Sequence, residues 1–161
     1  MPAKIKETSL SIDFGVFKLA TKITPDPRQR DAAWALFVEL ATRVATQPVD
    51  LDEGLLREAF DSLHELFAAT RGVLRASGPR AGARSGSVGA IALAVLNSAV
   101  RPFLARWHPA LAAWEEHRPA GKSARDHERA WELEAKCRGE LEKLRRGLAA
   151  YAASLAAIAD A

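Results

Sequence analysis

A chain of 161 residues with 48% apolar and 27% charged side chains is long enough to bury a core and too apolar to remain disordered. The net charge of +3 is mild and acids alternate with bases along most of the chain, which argues against the one-faced basic excess of a nucleic-acid binder. Alanine abounds while threonine, tyrosine and isoleucine are few, so composition leans towards helix.

The single cysteine, Cys137, rules out an intrachain disulfide, and a reducing, cytoplasmic compartment is expected. The start, Met1-Pro2-Ala3-Lys4, lacks the pattern of a signal peptide, and Pro2 stands where myristoylation requires glycine.

The first element expected is extended, over about 8–17. Leu10, Ile12, Phe14 and Val16 alternate with Ser9, Ser11, Asp13 and Gly15, the period of a strand with one buried face. Its pairing stays open between residues 1–7, residues 18–24 in a hairpin, the bundle itself and another subunit, and a helix over 8–20 is the competing reading. A first helix is expected over 27–47, with Asp26 as N-cap, Pro27 at the first helical position and Pro48 as the stop. Ala33, Leu36, Phe37, Leu40 and Val44 form its core stripe. Trp34, Val38, Ala41 and Ala45 widen that stripe and predict burial on more than one side.

A second helix over 53–75 should begin after Asp50 or Asp52 and bury Leu56, Phe60, Leu63, Leu66 and Phe67, with Arg57, Asp61, Glu65 and Arg71 facing away. Residues 76–87, rich in glycine, serine and arginine, read as a flexible surface loop. No phosphate-loop spacing occurs there, and Gly121-Lys122-Ser123 has Glu116 where that motif's first glycine belongs.

The third helix, 88–116, starts at the N-cap Ser87. It is apolar nearly all round through Val88, Ile91, Leu93, Val95, Leu96 and Val100, so it should be central. Its uncharged run, Ser85–Val100, is shorter than the ~20 residues of a membrane span. Pro102 should kink or break it, and Pro109 should open a short final piece. The fourth helix, over 124–159, carries a heptad seam of Cys137, Leu141, Leu144, Leu148, Tyr151, Leu155 and Ile158. At about 1.5 Å per residue it would span roughly 54 Å. That exceeds what a compact bundle of this size needs, so part of it should cover the N-terminal segment or protrude towards a partner, a second copy included. The fold expected is all-α: one domain over 1–161, an antiparallel bundle of four main helices with an extended N-terminal segment.

Nothing in the chain spells a catalytic or metal motif. His64, His108, His117 and His127 fall in no ligand-spaced pair, His117 and His127 are expected in solvent, and Cys137 lies on an apolar seam. No enzyme activity, cofactor or metal is therefore expected. The concentrated set of recognition-type residues is Asn97, Arg101, Arg106, Trp107, His108, Trp114 and Glu115, clustered around the expected break at Pro102. Tryptophan and arginine dominate binding hot spots, and a broken helix frees backbone groups for a partner. The opposing reading is structural, with the tryptophans packed under the kink and the arginines paired with Glu115 and Glu116.

Two other ligand readings remain. An anion or nucleic acid would use Arg75, Arg80 and Arg84 with the basic residues Arg138, Lys143, Arg145 and Arg146 of the fourth helix; a small molecule or metal inside the bundle would use Asn97, His64 and Glu134.

The run Val95 to Glu115, with Arg101-Pro102-Phe103-Leu104, Trp107-His108-Pro109 and Trp114-Glu115, resembles one found in uncharacterised bacterial helical proteins, some encoded beside antiviral defence effectors. The resemblance covers that segment alone and implies a bacterial source and an accessory or regulatory role. Together these readings predict a non-enzymatic module that binds a partner protein or its own copy.

Overall fold

The computed structural model describes residues 7–47, 53–82 and 84–161. Pro48, Asp50 and Asp52, expected at the end of the first helix and the start of the second, lie outside the described residues.

The chain opens with a β-hairpin. Strand β1 (Thr8–Asp13) pairs antiparallel with β2 (Lys18–Ile23) in the register Thr8↔Ile23 to Asp13↔Lys18. Of the pairings open in the sequence, the one with residues 18–24 is therefore formed. The expected strand is cut short at Asp13, whose Oδ1 accepts from Gly15 N (2.8 Å) in a turn where Gly15 takes φ +90°. Leu10, Ile12 and Phe14 face the core as the alternation requires, whereas Val16 sits exposed on the turn.

Helix α1 (Pro27–Ala41) starts as expected, with Asp26 Oδ1 accepting from Gln29 N (2.8 Å). It stops well short of Gln47. Its last carbonyls are taken by side chains: Thr42 Oγ1 donates to Val38 O (2.8 Å), Thr46 Oγ1 to Leu40 O and Gln47 Nε2 to Ala41 O (2.7 Å). A 3₁₀ turn over Val44–Thr46 follows. Side-chain hydroxyls that compete for backbone carbonyls end the helix before the proline is reached.

Helix α2 (Leu56–Ser77) has no local side-chain cap. Its first amide is instead satisfied from far along the chain, Leu56 N donating to both carboxylate oxygens of Glu128 at 3.0 Å. After Gly78 (φ +77°) the segment expected to be a solvated loop makes a 3₁₀ turn over Pro79–Ala81, in which Ala81 is fully buried. Gly89 on the next helix meets this turn at backbone distance. A Cβ there would lie 2.2 Å from Gly82 Cα and 2.7 Å from the Ala81 carbonyl oxygen.

Helix α3 (Val88–Glu115) begins at Ser87, whose Oγ accepts from Ala90 N (3.1 Å). It is neither broken at Pro102 nor restarted at Pro109, which lies inside it. Residues Leu96–Val100 form a π turn, with Arg101 N donating to Leu96 O. A proline ring in a helix meets the carbonyl four residues back, here Ser98, and a widened turn at that point makes room for it. The helix is long and apolar enough to cross a membrane by those two measures, and more than half of its most apolar window is buried within the chain.

The expected fourth helix is two. Helix α4 (Ala124–Arg129) starts at Ser123, whose Oγ accepts from Asp126 N (3.1 Å), and α5 (Glu134–Ala159) follows a break. In an unbroken helix Glu128 would lie about 180° around from Cys137, facing away from the core. The break turns Glu128 and Trp131 inward, and both are buried.

At 26 residues, α5 spans about 39 Å at about 1.5 Å per residue. Seam residues Cys137, Leu144, Leu148, Tyr151, Leu155 and Ile158 are all buried in the chain's own core. Arg30 Nη1 donates to the Ala161 carbonyl (3.3 Å), tying the far end of α5 to the start of α1. Part of the excess length read from the sequence is thus a turn, and α5 packs against the N-terminal hairpin, the first of the two expected alternatives.

Cross-helix contacts give the directions. Arg43 meets Glu65 and Ala45 N meets Ser62 Oγ; Arg57 meets Glu115 and Phe67 meets Arg101; Arg106 meets Glu140, while Val95 and Leu96 share a lining with Leu148 and Tyr151. In each set one number rises as the other falls, so α1 and α2, α2 and α3, and α3 and α5 run antiparallel. Phe14 closes the bundle from the hairpin, its ring resting on Gly147 of α5 where an added Cβ would be 2.4 Å away.

Candidate interaction surface

The seven residues singled out in the sequence all lie on α3, but they do not form one patch. Asn97 Oδ1 accepts from Arg101 Nε (3.2 Å), and the Arg101 guanidinium lies over the Phe67 ring of α2, 4.8 Å from its centroid. Arg106 and Trp107 form a second group with Glu140 of α5. Arg106 Nη1 bonds Glu140 at 3.0 Å, Trp107 Nε1 donates to the other oxygen at 2.6 Å, and the guanidinium covers the indole at 4.9 Å. Trp107 is only 2% exposed and meets Trp131 edge-to-face with centroids 6.0 Å apart.

His108 and Glu115 form a third group through Arg57. Arg57 Nη1 lies 3.0 Å from His108 Nδ1, and its Nε donates to both oxygens of Glu115 at 3.1 and 3.2 Å. Trp114 forms the fourth. Its Nε1 donates to His127 O (2.7 Å), its ring stacks on the His127 imidazole at 4.5 Å, and His127 Nε2 returns a 2.7 Å bond to Trp114 O. His127, expected in solvent, is buried by this reciprocal pair; His117 stays exposed, 2.8 Å from Ala113 O.

Both tryptophans therefore have their indole N–H satisfied inside the chain, and the arginines beside them rest on carboxylates or rings. The groups proposed for an interior ligand are also placed. Asn97 and His64 are exposed, and Glu134 accepts from Arg138 Nε at 2.8 Å. Asp61 pairs at 3.9 Å with Arg57, while His64 meets His108 edge-to-face at 5.3 Å. Of the helical cations considered for an anion, Arg138 lies on Glu128 and Glu134, and Arg145 and Arg146 share Glu142. Among the described residues no group of three His, Cys, Asp or Glu side chains is placed to hold a metal.

The most buried charged network is Glu128 with Arg138 and the start of α2. Burial pushes the Glu128 carboxyl above the usual range, against the opposing pull of the Leu56 N–H and the Arg138 charge. Cys137 is buried on the seam, and desolvation pushes its thiol up to about 12, far from a nucleophile's range.

Trp34 and Val38, expected to widen the buried stripe of the first helix, lie on its outer face instead. Trp34 is 55% exposed and Val38 41%, with the Trp34 ring 5.4 Å from that of Phe37. The signal was present. Both sit two positions from Leu36, hence about 160° around the helix from the buried stripe.

No family model, no curated protein and no solved structure matches this chain.

Proposed function

We propose that this chain is a non-enzymatic helical module that binds a partner protein, and that it docks through the outer face of α1. The observation that carries this reading is the exposure of Trp34 beside Val38. A large aromatic side chain left in water, next to a second apolar residue one turn on, is the surface chemistry of a binding anchor. By contrast Trp107 and Trp114 already have internal partners, so the α3 residues act chiefly in holding α3 to α2, α4 and α5. The occupant we propose is an apolar helical surface of another protein, in keeping with the accessory bacterial role that the resemblance over 95–115 implies. A cytoplasmic setting suits the single reduced thiol.

The test is co-expression with the products of neighbouring genes, with complexes measured by analytical ultracentrifugation. A complex should form with the native chain, disappear with Trp34→Glu and survive Arg106→Gln, while the melting temperatures stay close together. A homodimer dispersed by Trp34→Glu would make a second copy the occupant of the same face. Complexes indifferent to Trp34→Glu, or a chain that remains a monomer with every candidate, overturn the reading.

A further inference from the structure

A concave surface between α2 and α3 is independent of the α1 face and shares no residue with it. It is an open groove of about 460 Å³ that has Phe67 and Leu104 in its lining and carries Arg71 from α2, Arg101 from α3 and the imidazoles His64 and His108. That volume is within the range of small-molecule sites, about 300–1,000 Å³.

Its cations differ from those that fasten the helices together. Arg43, Arg57, Arg106, Arg138, Arg145 and Arg146 each rest on a carboxylate. Arg101 has only the neutral amide of Asn97 and the face of Phe67 as partners. Arg71 has no ion pair or hydrogen bond from its side chain among the described residues. Acids on the same two helices are engaged elsewhere, Asp61 and Glu115 by Arg57 and Glu65 by Arg43. Two guanidinium groups with no carboxylate partner among the described residues thus border one open groove that has an apolar floor.

We propose that this groove binds a small phosphomonoester, with the phosphoryl group taken by Arg71 and Arg101 and the organic body resting on Phe67 and Leu104. Guanidinium presents paired N–H donors that match phosphate oxygens, and the Phe67 ring supports the Arg101 guanidinium from beneath. A phosphomonoester supplies nearly two negative charges and three acceptor oxygens, which suits two cations flanked by two imidazoles better than a single carboxylate does. A nucleic-acid strand would need the cations to continue along a track. The neighbouring Arg57 and Arg106 are instead neutralised by Glu115 and Glu140.

The experiment is an amide chemical-shift titration of the full chain at low ionic strength with phenyl phosphate, inorganic phosphate and phenol. Phenyl phosphate should shift amides near residues 64–71 and 101–109, inorganic phosphate should do so more weakly, and phenol should leave them unmoved. Arg71→Gln and Arg101→Gln should each weaken phenyl phosphate binding about tenfold, the loss of one charge-assisted contact. Arg106→Gln, outside the groove, should leave it unchanged. Both groove positions are solvent-exposed, and a circular dichroism melt confirms that each variant folds. Equal affinity in the native and Arg71→Gln chains overturns the proposal. So does a short single-stranded oligonucleotide that binds more tightly than phenyl phosphate and loses its affinity in the same variants.

Discussion

Two glutamates on opposite sides of the ordinary carboxylate range show how local surroundings set a residue's behaviour. Glu142 accepts from Arg145 at 2.6 and 2.7 Å and from Arg146 at 3.2 Å, and these bonds, Arg145 first, hold its carboxyl below the usual value. The contribution of Glu142 to stability is therefore present above the unfolded carboxylate value and is lost as pH falls through the folded one. Glu128 is displaced upward by burial, so its contribution is full below the unfolded value and declines as pH rises through the folded one. Carboxyl carbon shifts followed by NMR should show Glu128 titrating above Glu142. The reverse order would mean that the Leu56 N–H and Arg138 outweigh desolvation. Residue by residue, the caps were the most legible features. Asp26 and Ser87 cap the helices they were expected to cap, because a cap is a contact between neighbours in sequence. Glu128 capping α2 across 72 residues has no such local signature.

Elements are set by where two backbones can approach, and α3 is fixed this way at its first turn. Gly89 lies against Gly82 and Ala81 with no space for a methyl group. Glycine to alanine inside a helix ordinarily gains about 1 kcal/mol. Here the added carbon would force the 79–82 turn off α3, so Gly89→Ala should cost about 1–3 kcal/mol in urea unfolding. A gain in stability would show that the turn is free to move. Helix positions and most of their ends were readable from apolar spacing and caps, but the stop of α1 and the break between α4 and α5 were not. The stop of α1 comes from Thr42, Thr46 and Gln47 reaching back to its carbonyls. The split between α4 and α5 comes from Glu128 and Trp131 turning towards Leu56 and Trp107. Neither cause has a period.

Taken whole, the molecule is mostly helical, with a small two-stranded sheet at its N-terminal end. Its seam on α5 faces inward along its length, and Cys137 sits there with no exposure. A thiol reagent should reach Cys137 only through large-scale opening, so labelling should accelerate with urea in step with unfolding. Rapid labelling of the native chain would expose a local path to the seam. At this scale the sequence conveyed the order of the helices and the core they share. The candidate surface was the least legible part, since side chains of recognition type are also the ones that fasten helices together: Trp107 to Glu140, Trp114 to His127, Arg57 to Glu115.

The π turn has a consequence for everything that follows it on α3. Buried residues Val88, Ala92, Val95 and Ala99 keep to one line along the helix. Continued at about 100° per residue, that line would leave Trp107 about 100° out of phase with it. One extra residue in the turn resets the phase, and Phe103, Trp107 and Leu111 return to the buried side. The π turn thus does more than admit a proline. It works as a one-residue frame correction that joins two core patterns, one packed against α1 and the other against α2 and α5, into a single continuous helix.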